Sequence, residues 1–537
     1  MSAPSSAVEA ARTAVTNANI ERMNRLEGYD VVIVCCSTPF QAQYWQKRLM
    51  ATRGEISPET MKVIAVYEDW VGGAGNGLGT LYAYTKAVAE GKAIYGPEFD
   101  LTEKLKAGAI SVALYHTAGK GTRLAPLPGS ENNNKPGVKL PAMINIDGET
   151  VPMTILEAVI KQTGVYATSR RGRLSVFWGD QVFIPSAAVQ YTPAHHIDIL
   201  ATLAPMPTEA EWKAKGLDKY GLIAVDGDNQ AAQVDKVSHA TALRLLSERG
   251  HLKSVGTSLG SFSIDHDILI ALLDEFAAEL QQKSGKLDTD PHFWMPFTLP
   301  KVAYIELMTQ KGAAVEFSTQ HYERMQSLLH RFYMCRREKL GLFGCVDVGS
   351  AAYWWDYGQL KYYLKNNCLV TEDSTEAAAL RSFLGITNPL MWSELGPGMV
   401  FDAVAVLGSK ITRGTIRRSV LSGVTAASVN IEDSILINVT AHSITAKQCV
   451  LYNVTSEDLK GLQLEDGSVV VGVHLPNGDK LVVESHLSIC GGDAWKTILD
   501  ANEHSFEQIY NLNEEADVAE IEQLVREEHM RVRELIH

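Results

Sequence analysis

A seven-residue pattern returns every 15 residues near the C-terminus. Ser419-Val-Leu-Ser-Gly-Val-Thr425, Ser434-Ile-Leu-Ile-Asn-Val-Thr440 and Cys449-Val-Leu-Tyr-Asn-Val-Thr455 align position for position. A fixed short period with one aliphatic position repeated predicts a β-solenoid, whose coils stack like side chains in ladders; the competing reading is three ordinary strands that look alike. The solenoid is assigned to residues 401–489. Before it, a connector over 366–400 carries a helical piece (STEAAALRSFL) and a Gly-Pro-Gly stop at 396–398. After it, the Glu- and Leu-rich tail 490–537 reads as one or two amphipathic helices that cap the coils or pack on them.

Upstream the texture is different. Over 29–365, short β-rich runs alternate with helical stretches, the pattern of a twisted, mostly parallel sheet with helices on both faces. Residues 1–28 read as a helical arm. A strand follows through Tyr29-Asp-Val-Val-Ile-Val-Cys35, then a helix over PFQAQYWQKRLM. The expected fold class is therefore α/β: a Rossmann-like domain, a C-terminal β-solenoid (β-helix) and a helical tail.

Composition excludes several functions. At 46% hydrophobic residues the chain has ample material for large cores. With 49 Lys plus Arg against 63 Asp plus Glu, the net charge of −14 argues against duplex nucleic acid and anionic membranes as partners. Small anions held in one pocket remain open. The seven cysteines include no CxxC, so neither a disulfide framework nor a structural zinc site is expected. The N-terminus has no apolar signal-peptide core, and no run approaches about 18 apolar residues. A cytoplasmic protein is the default reading, or a plastid one if a transit peptide has been removed.

The strongest chemical signal is Ile110-Ser-Val-Ala-Leu-Tyr-His-Thr-Ala-Gly119-Lys-Gly121-Thr122-Arg123-Leu124, where an apolar strand runs into a glycine turn. Backbone N–H groups there can close around phosphate oxygens, and Arg123 adds fixed positive charge where a triphosphate would bend. It is not a P-loop, because no GK[ST] follows a four-residue spacer. Further on stands Asn134-Lys135-Pro136-Gly-Val-Lys139-Leu-Pro141.

These segments together resemble the G-x-G-T-R-L…P-K signature of the nucleotide-sugar pyrophosphorylases, which make NDP-sugars from an NTP and a sugar 1-phosphate. The likeness recurs in order over roughly residues 110–460. Phe177-Trp-Gly-Asp180 resembles the family's strand ending in a metal-binding Asp. Tyr220-Gly221-Leu-Ile with Val234-Asp235-Lys236 resembles the segments that hold the sugar phosphate, and Tyr353-Trp-Trp-Asp356-Tyr-Gly358 the sequence bearing a second metal Asp. The resemblance implies nucleotide contacts at Gly119, Gly121 and Thr122, and catalytic charges at Arg123 and Lys139. It also implies sugar-phosphate contacts at Gly221, Asp235 and Lys236, and Mg²⁺ between Asp180 and Asp356. The family's P-K is split here by an insertion. Lys139 is preferred over its rival Lys135 because its distance to the Asp147-Gly148 turn matches the family spacing.

The order also departs from the family. Its strand, helix and base-binding loop, which should follow the signature, stand upstream instead. VVIVCCSTPFQAQYW resembles the strand and helix, and Gly72-Gly-Ala-Gly75-Asn-Gly77-Leu-Gly79-Thr80 the base loop. A circular permutation of the nucleotide-binding half accounts for this, with Gly77, Gly79 and Thr80 against the base. A glycine loop ahead of the signature looks like the fucose-1-phosphate guanylyltransferase branch, whereas AGKGTRLAPLPG is most similar to the chloroplast-type UDP-glucose pyrophosphorylases.

The expected reaction is therefore transfer from an NTP, with UTP first choice, to a sugar 1-phosphate, with glucose 1-phosphate first choice, releasing pyrophosphate. ADP-glucose or GDP-fucose synthesis and a catalytically silent regulatory subunit are the alternatives. The C-terminal coils are expected to be structural, leaving a homo-oligomer through that domain open, and their removal to spare the substrate determinants. Asp226-Gly-Asp228 is expected to be a hairpin turn, His195-His196 a surface or core pair, and Trp354 and Trp355 sheet core. No G-x-S-x-G stands for acyl transfer.

Overall fold

The structure, a computed structural model, describes residues 6–219, 221–247, 252–334 and 340–536. Its main sheet is nucleated by Val31–Cys36 (β1), a run buried at every position because the sheet is covered on both faces. Lys62–Tyr67 (β2) and Val112–His116 (β3) lie parallel on either side of it, with Val32 opposite Val63 and Ala113. Lys139–Ile146 (β4) and Glu149–Thr154 (β5) pair as a separate antiparallel hairpin. Arg173–Trp178 (β6) returns to the sheet parallel to β3, and Gln181–Ile184 (β7) leaves it again.

His195–Ala204 (β8), Gly221–Asp226 (β9), Ala231–Asp235 (β10), Leu252–Asp265 (β11), Gly341–Asp347 (β12) and Tyr353–Asp356 (β13) complete this half. The long β11 runs antiparallel to β6, and β8 then pairs with both β11 and β12. The β9–β10 hairpin extends beside the first half of β11. Helix Gly75–Tyr95 buries Leu78 and Leu81 against one face of the sheet, and helix Pro39–Ala51 buries Trp45 and Leu49 in a different core. The result is a mixed α/β sheet whose β1, β2, β3 and β6 all end at one edge, where ligands of open α/β folds gather.

After residue 400 the strands run parallel with a step of one sequence pattern, until Ser468–His474 and Lys480–His486 close the sheet as an antiparallel pair. Val420 pairs with Ile435, which pairs with Val450. Two corners of each turn need left-handed backbone: Ala403, Arg418, Asp433 and Gln448 form one series, Gly408, Gly423, Asn438 and Asn453 the other. The serine opening each pattern has a physical role, since the Ser434 N–H donates to Ser419 Oγ and the Cys449 N–H to Ser434 Oγ, both at 3.0 Å. Each hydroxyl satisfies a buried backbone donor of the next turn.

This region does not stand apart from the α/β half. Val420, Ile435, Tyr452 and Val471 share one continuous core with Leu140, Ala142 and Leu156. Helix Val518–Ile536 lies on the β-rich region, where the His529 ring meets Thr440 Oγ1 at 2.9 Å. Helix Ser6–Asn24 packs back on the α/β half, with Asn19 donating to the Pro185 and Ala187 carbonyls. Asp226–Asn229 is the β9–β10 turn. His195 and His196 are both buried, His196 against Asp265, and Trp355 is buried core. Among the described residues no helix is long and apolar enough to cross a membrane.

Candidate active site

β3 ends at His116 and the chain turns through Gly119 at φ +128° and Gly121 at φ +65°, conformations that cost a side chain but not glycine. A Cβ on Gly121 would also press on the Lys135 chain at 3.1 Å. One tight turn, Thr122–Leu124, follows; Leu124 is wholly buried and anchors it, while Arg123 is exposed.

One strand over, β6 leads through Gly179 into Asp180. β7, which begins immediately after, pairs antiparallel with β13 so that Gln181 faces Asp356. That pairing brings together two carboxylates 176 positions apart in the chain. Their meeting point is Gly358. A Cβ there would stand 2.9 Å from Asp180 Oδ2 and 3.0 Å from Asp356 Oδ1, so only glycine leaves both carboxylates their positions. The Gly358 N–H donates to Asp356 Oδ1 at 2.7 Å. Burial above all, and then the neighbouring Asp180, raise the Asp356 carboxyl, while the Gly358 N–H, Arg123 and Lys135 oppose the rise. Lys361 does not take Asp356 as a partner; its ammonium lies over the Tyr362 ring.

The lysine at these carboxylates is Lys135, whose Nζ donates to Asp180 Oδ2. Lys139, which the family spacing favours, lies elsewhere in the structure. Lys139 is 6% exposed, and its ammonium is bonded to Glu131 and lies 3.5 Å from Glu522. Its N–H goes to Tyr452 Oη at 2.8 Å and its carbonyl accepts from Tyr363 Oη at 2.6 Å. Sequence spacing measures distance along β4, but ion pairing with a helix near the C-terminus decides where the side chain goes.

The glycine loop after β2 does approach the signature turn. Thr80 Oγ1 donates to the Asn76 carbonyl at 2.7 Å, so the His116 Nε2–H must donate to Thr80 across 2.8 Å. His116 is kept neutral, its pKa lowered to about 4 by burial, and it stacks on Trp178 at 5.4 Å. Gly79 lies in the same first helical turn, 3.0 Å (for a Cβ) from Glu68 Oε2. Gly77 behaves differently from expectation. Its N–H is committed to the Leu287 carbonyl at 2.8 Å and a Cβ would meet that oxygen at 2.9 Å, so its backbone is fastened to a neighbouring strap.

No protein-family model matches this chain, and no curated protein matches it. Geometry therefore carries the functional argument.

Gly221 and Asp235 face each other across the β9–β10 pair; Tyr220 lies outside the described residues. Asp235 is bound by Lys236 and Lys311, each at 3.1 Å. A line of close approaches connects this pair to the carboxylates. Gly221 would touch Ser258, the Gly260 N–H donates to Ser258 Oγ, and a Cβ on Gly260 would strike Trp178 Nε1, two residues before Asp180.

Two parts of the neighbourhood carried no signal in the sequence reading. The strap Leu287–Asp290 is one. The other is the tail: a Cβ on Gly491 would be 2.5 Å from the Thr122 carbonyl, Lys120 sits 5.1 Å over the Tyr510 ring, and Asn133 donates to the Tyr510 carbonyl at 2.6 Å. The expectation that residues 401–537 can be removed while sparing the site is therefore corrected. The tail braces the glycine turn from behind.

A Mg²⁺ ion suits this donor set. It characteristically binds one or two carboxylates and completes its shell with water and phosphate oxygens. Among the described residues, no cluster of three or more His, Cys, Asp or Glu forms an all-protein metal cage. Asp180 and Asp356, mutually repelling and partly neutralised by Lys135, are a pair that a cation would relieve.

Proposed function

We propose that this protein is a nucleotidyltransferase that joins an NTP, UTP in the first instance, to a sugar 1-phosphate such as glucose 1-phosphate, releasing pyrophosphate. The observation that carries the reading is the convergence of Asp180 and Asp356 over Gly358, with Lys135 on one carboxylate and the Gly119–Arg123 turn alongside. The reaction needs little acid–base help, because the attacking sugar-phosphate oxygen is already ionised near neutral pH. It forms a bond to the α-phosphorus as the bond to the pyrophosphate oxygen breaks in line, with no covalent enzyme intermediate.

The chain's own residues would align and neutralise. The N–H groups of Gly121 and Thr122 with Arg123 hold the triphosphate, Lys135 offsets charge at the reacting centre, and Lys236 with Asp235 orients the sugar phosphate. Bound between Asp180 and Asp356, Mg²⁺ would supply positive charge to the phosphate oxygens. Thr80, hydrogen-bonded to His116, with Gly79 in the same helical turn, supports the reading of the upstream glycine loop as a base loop in a permuted, Rossmann-like domain. The 15-residue register, the two left-handed corner series and the serine ladder support reading the C-terminal strands as a β-solenoid.

Pyrophosphate release from four NTPs against a panel of sugar 1-phosphates tests the reaction. A single preferred pair, dependent on Mg²⁺, is the expected result. ADP-glucose or GDP-fucose formation would change the substrate but keep the chemistry, and no turnover with any pair would leave a catalytically silent subunit.

A further inference from the structure

The strap Leu287–Asp290 ties two expected substrate regions together. At one end, the Leu287 N–H donates to the Ala74 carbonyl at 2.9 Å, its own carbonyl accepts from Gly77, and Asp288 Oδ1 accepts from the Asn76 N–H at 2.9 Å. The Thr289 N–H returns a bond to Asn76 Oδ1 at 2.7 Å. The next residue, Asp290, reaches the β9–β10 pair, with Oδ2 at 3.2 Å from where a Gly221 Cβ would stand. Gln233 Nε2 lies 3.1 Å from the same point. Gln233 shares one strand face with Asp235, two residues along β10, and is fully buried. Among the described residues, neither its amide nitrogen nor its amide oxygen has a hydrogen-bond partner.

An unpaired buried amide costs a fold stability, so its retention points to use. The groups gathered at Gly221 are a carboxyl, an amide offering both donor and acceptor, and the Asp235 carboxylate behind them. That set complements hydroxyls, which donate and accept; the nearby lysines, Lys236 and Lys311, are both taken up by Asp235, so neither is offered to a second carboxylate beside Asp290. We infer that Asp290 and Gln233 read the sugar hydroxyls of the substrate, and that this substrate is a neutral hexose 1-phosphate and not a uronic acid 1-phosphate. The inference rests on the nucleotidyl-transfer reading above and extends it to a strap and an amide that reading does not use. Burial together with Asp235 raises the Asp290 carboxyl to about 7, which lets it donate as well as accept near neutrality.

The test measures pyrophosphate release by the full-length protein with its best NTP and Mg²⁺, against glucose, galactose, mannose, fucose and glucuronic acid 1-phosphates. Wild type should reject the glucuronate by roughly a hundredfold or more in kcat/KM, as sites with buried polar readers do. Asp290→Asn should narrow that ratio by about tenfold and raise the neutral sugar's KM, with the NTP KM unchanged. Gln233→Met should likewise raise the sugar KM while melting higher than wild type, a combination that a merely structural glutamine would not give; it also decides the matter if Asp290→Asn does not fold. An active wild type whose two variants keep the same sugar KM and the same selectivity overturns the inference. A wild type inactive with every pair overturns the nucleotidyl-transfer reading itself, and this inference with it.

Discussion

Two acid–lysine clusters, whose lysines stand four positions apart at Lys135 and Lys139, have opposite characters. At Glu131, Lys139 and Glu522, each carboxylate is bonded to a cation, although burial still raises the Glu131 carboxyl. Arg48 closes the knot by binding Glu157 at 2.7 Å and Glu522 at 3.3 Å, and Tyr452 donates to Glu131. Burial alone would raise the Glu522 carboxyl, yet Lys139 and Arg48 hold it low. This cluster bolts the β4 segment to the tail helix. At Asp180, Asp356 and Lys135 the lysine is bonded to Asp180, and Asp356, which has no bonded cation among the described residues, is left raised above its ordinary value. A saturated cluster contributes to assembly, while an unsaturated one at a sheet's carboxyl edge has charge left for a ligand.

Substitutions can break this contrast. The largest effect is expected at the unsaturated cluster. Asp180→Asn or Asp356→Asn should lower kcat by about 10²–10³, the scale seen when one preorganised electrostatic group is removed. Melting temperature should stay within a few degrees of wild type, and an Asp356→Asn enzyme with normal Mg²⁺-dependent rates would remove that residue from the site. In the saturated cluster the cost should fall on folding. Lys139→Met leaves Glu131 buried without its cation and should destabilise by about 3–5 kcal/mol in denaturant titrations. A change under about 1 kcal/mol would show that the knot is not holding the two halves together.

A smaller effect sharpens the role of the tail. Gly491→Ala puts a methyl group against the Thr122 carbonyl, and the glycine turn must shift to admit it. The NTP KM should rise several-fold with kcat for saturating substrates less affected. An unchanged NTP KM would mean that the tail touches the turn without positioning it.

The smallest effect is a pH signature. Asp290 faces Asp235, Asp288 and Lys236, and its carboxyl is raised to about 7 from an ordinary 3.8. The folded state therefore favours the protonated form, so its contribution is intact at low pH and is lost as pH rises towards about 7. Asp290→Asn, which cannot ionise, should gain stability relative to wild type between about pH 4 and pH 7 and keep a constant advantage above that. Parallel stability curves would contradict the shift.

What could be read from the sequence were features whose cause is local. An apolar strand running into Gly119 and Gly121, a Gly-Asp at a strand end, and an aliphatic position returning every 15 residues each state their own backbone requirement. The two aspartates could be nominated as partners only through the family resemblance, and the β7–β13 pairing supplies the reason they meet. What could not be read were choices made by distant partners. Lys139 and Lys135 differ because Glu522 and Glu131 are buried around one of them. Gly77 looked free in a glycine-rich stretch, but its N–H belongs to Leu287, more than 200 residues on. Nothing in KLDTDPHFW announces a strap, since its function depends on which loops it lies between.

The comparison between the clusters reduces to a choice between two lysines, and one measurement decides it. Single-turnover pyrophosphate release should be followed for Lys135→Gln and Lys139→Gln, each normalised to the folded fraction found by titration. The account predicts that the Lys135→Gln rate falls by about a hundredfold or more, while folded Lys139→Gln keeps a rate near wild type. A folded Lys139→Gln protein that has lost its chemistry, beside a Lys135→Gln protein that retains it, would contradict the assignment of the reacting centre to Asp180, Asp356 and Lys135.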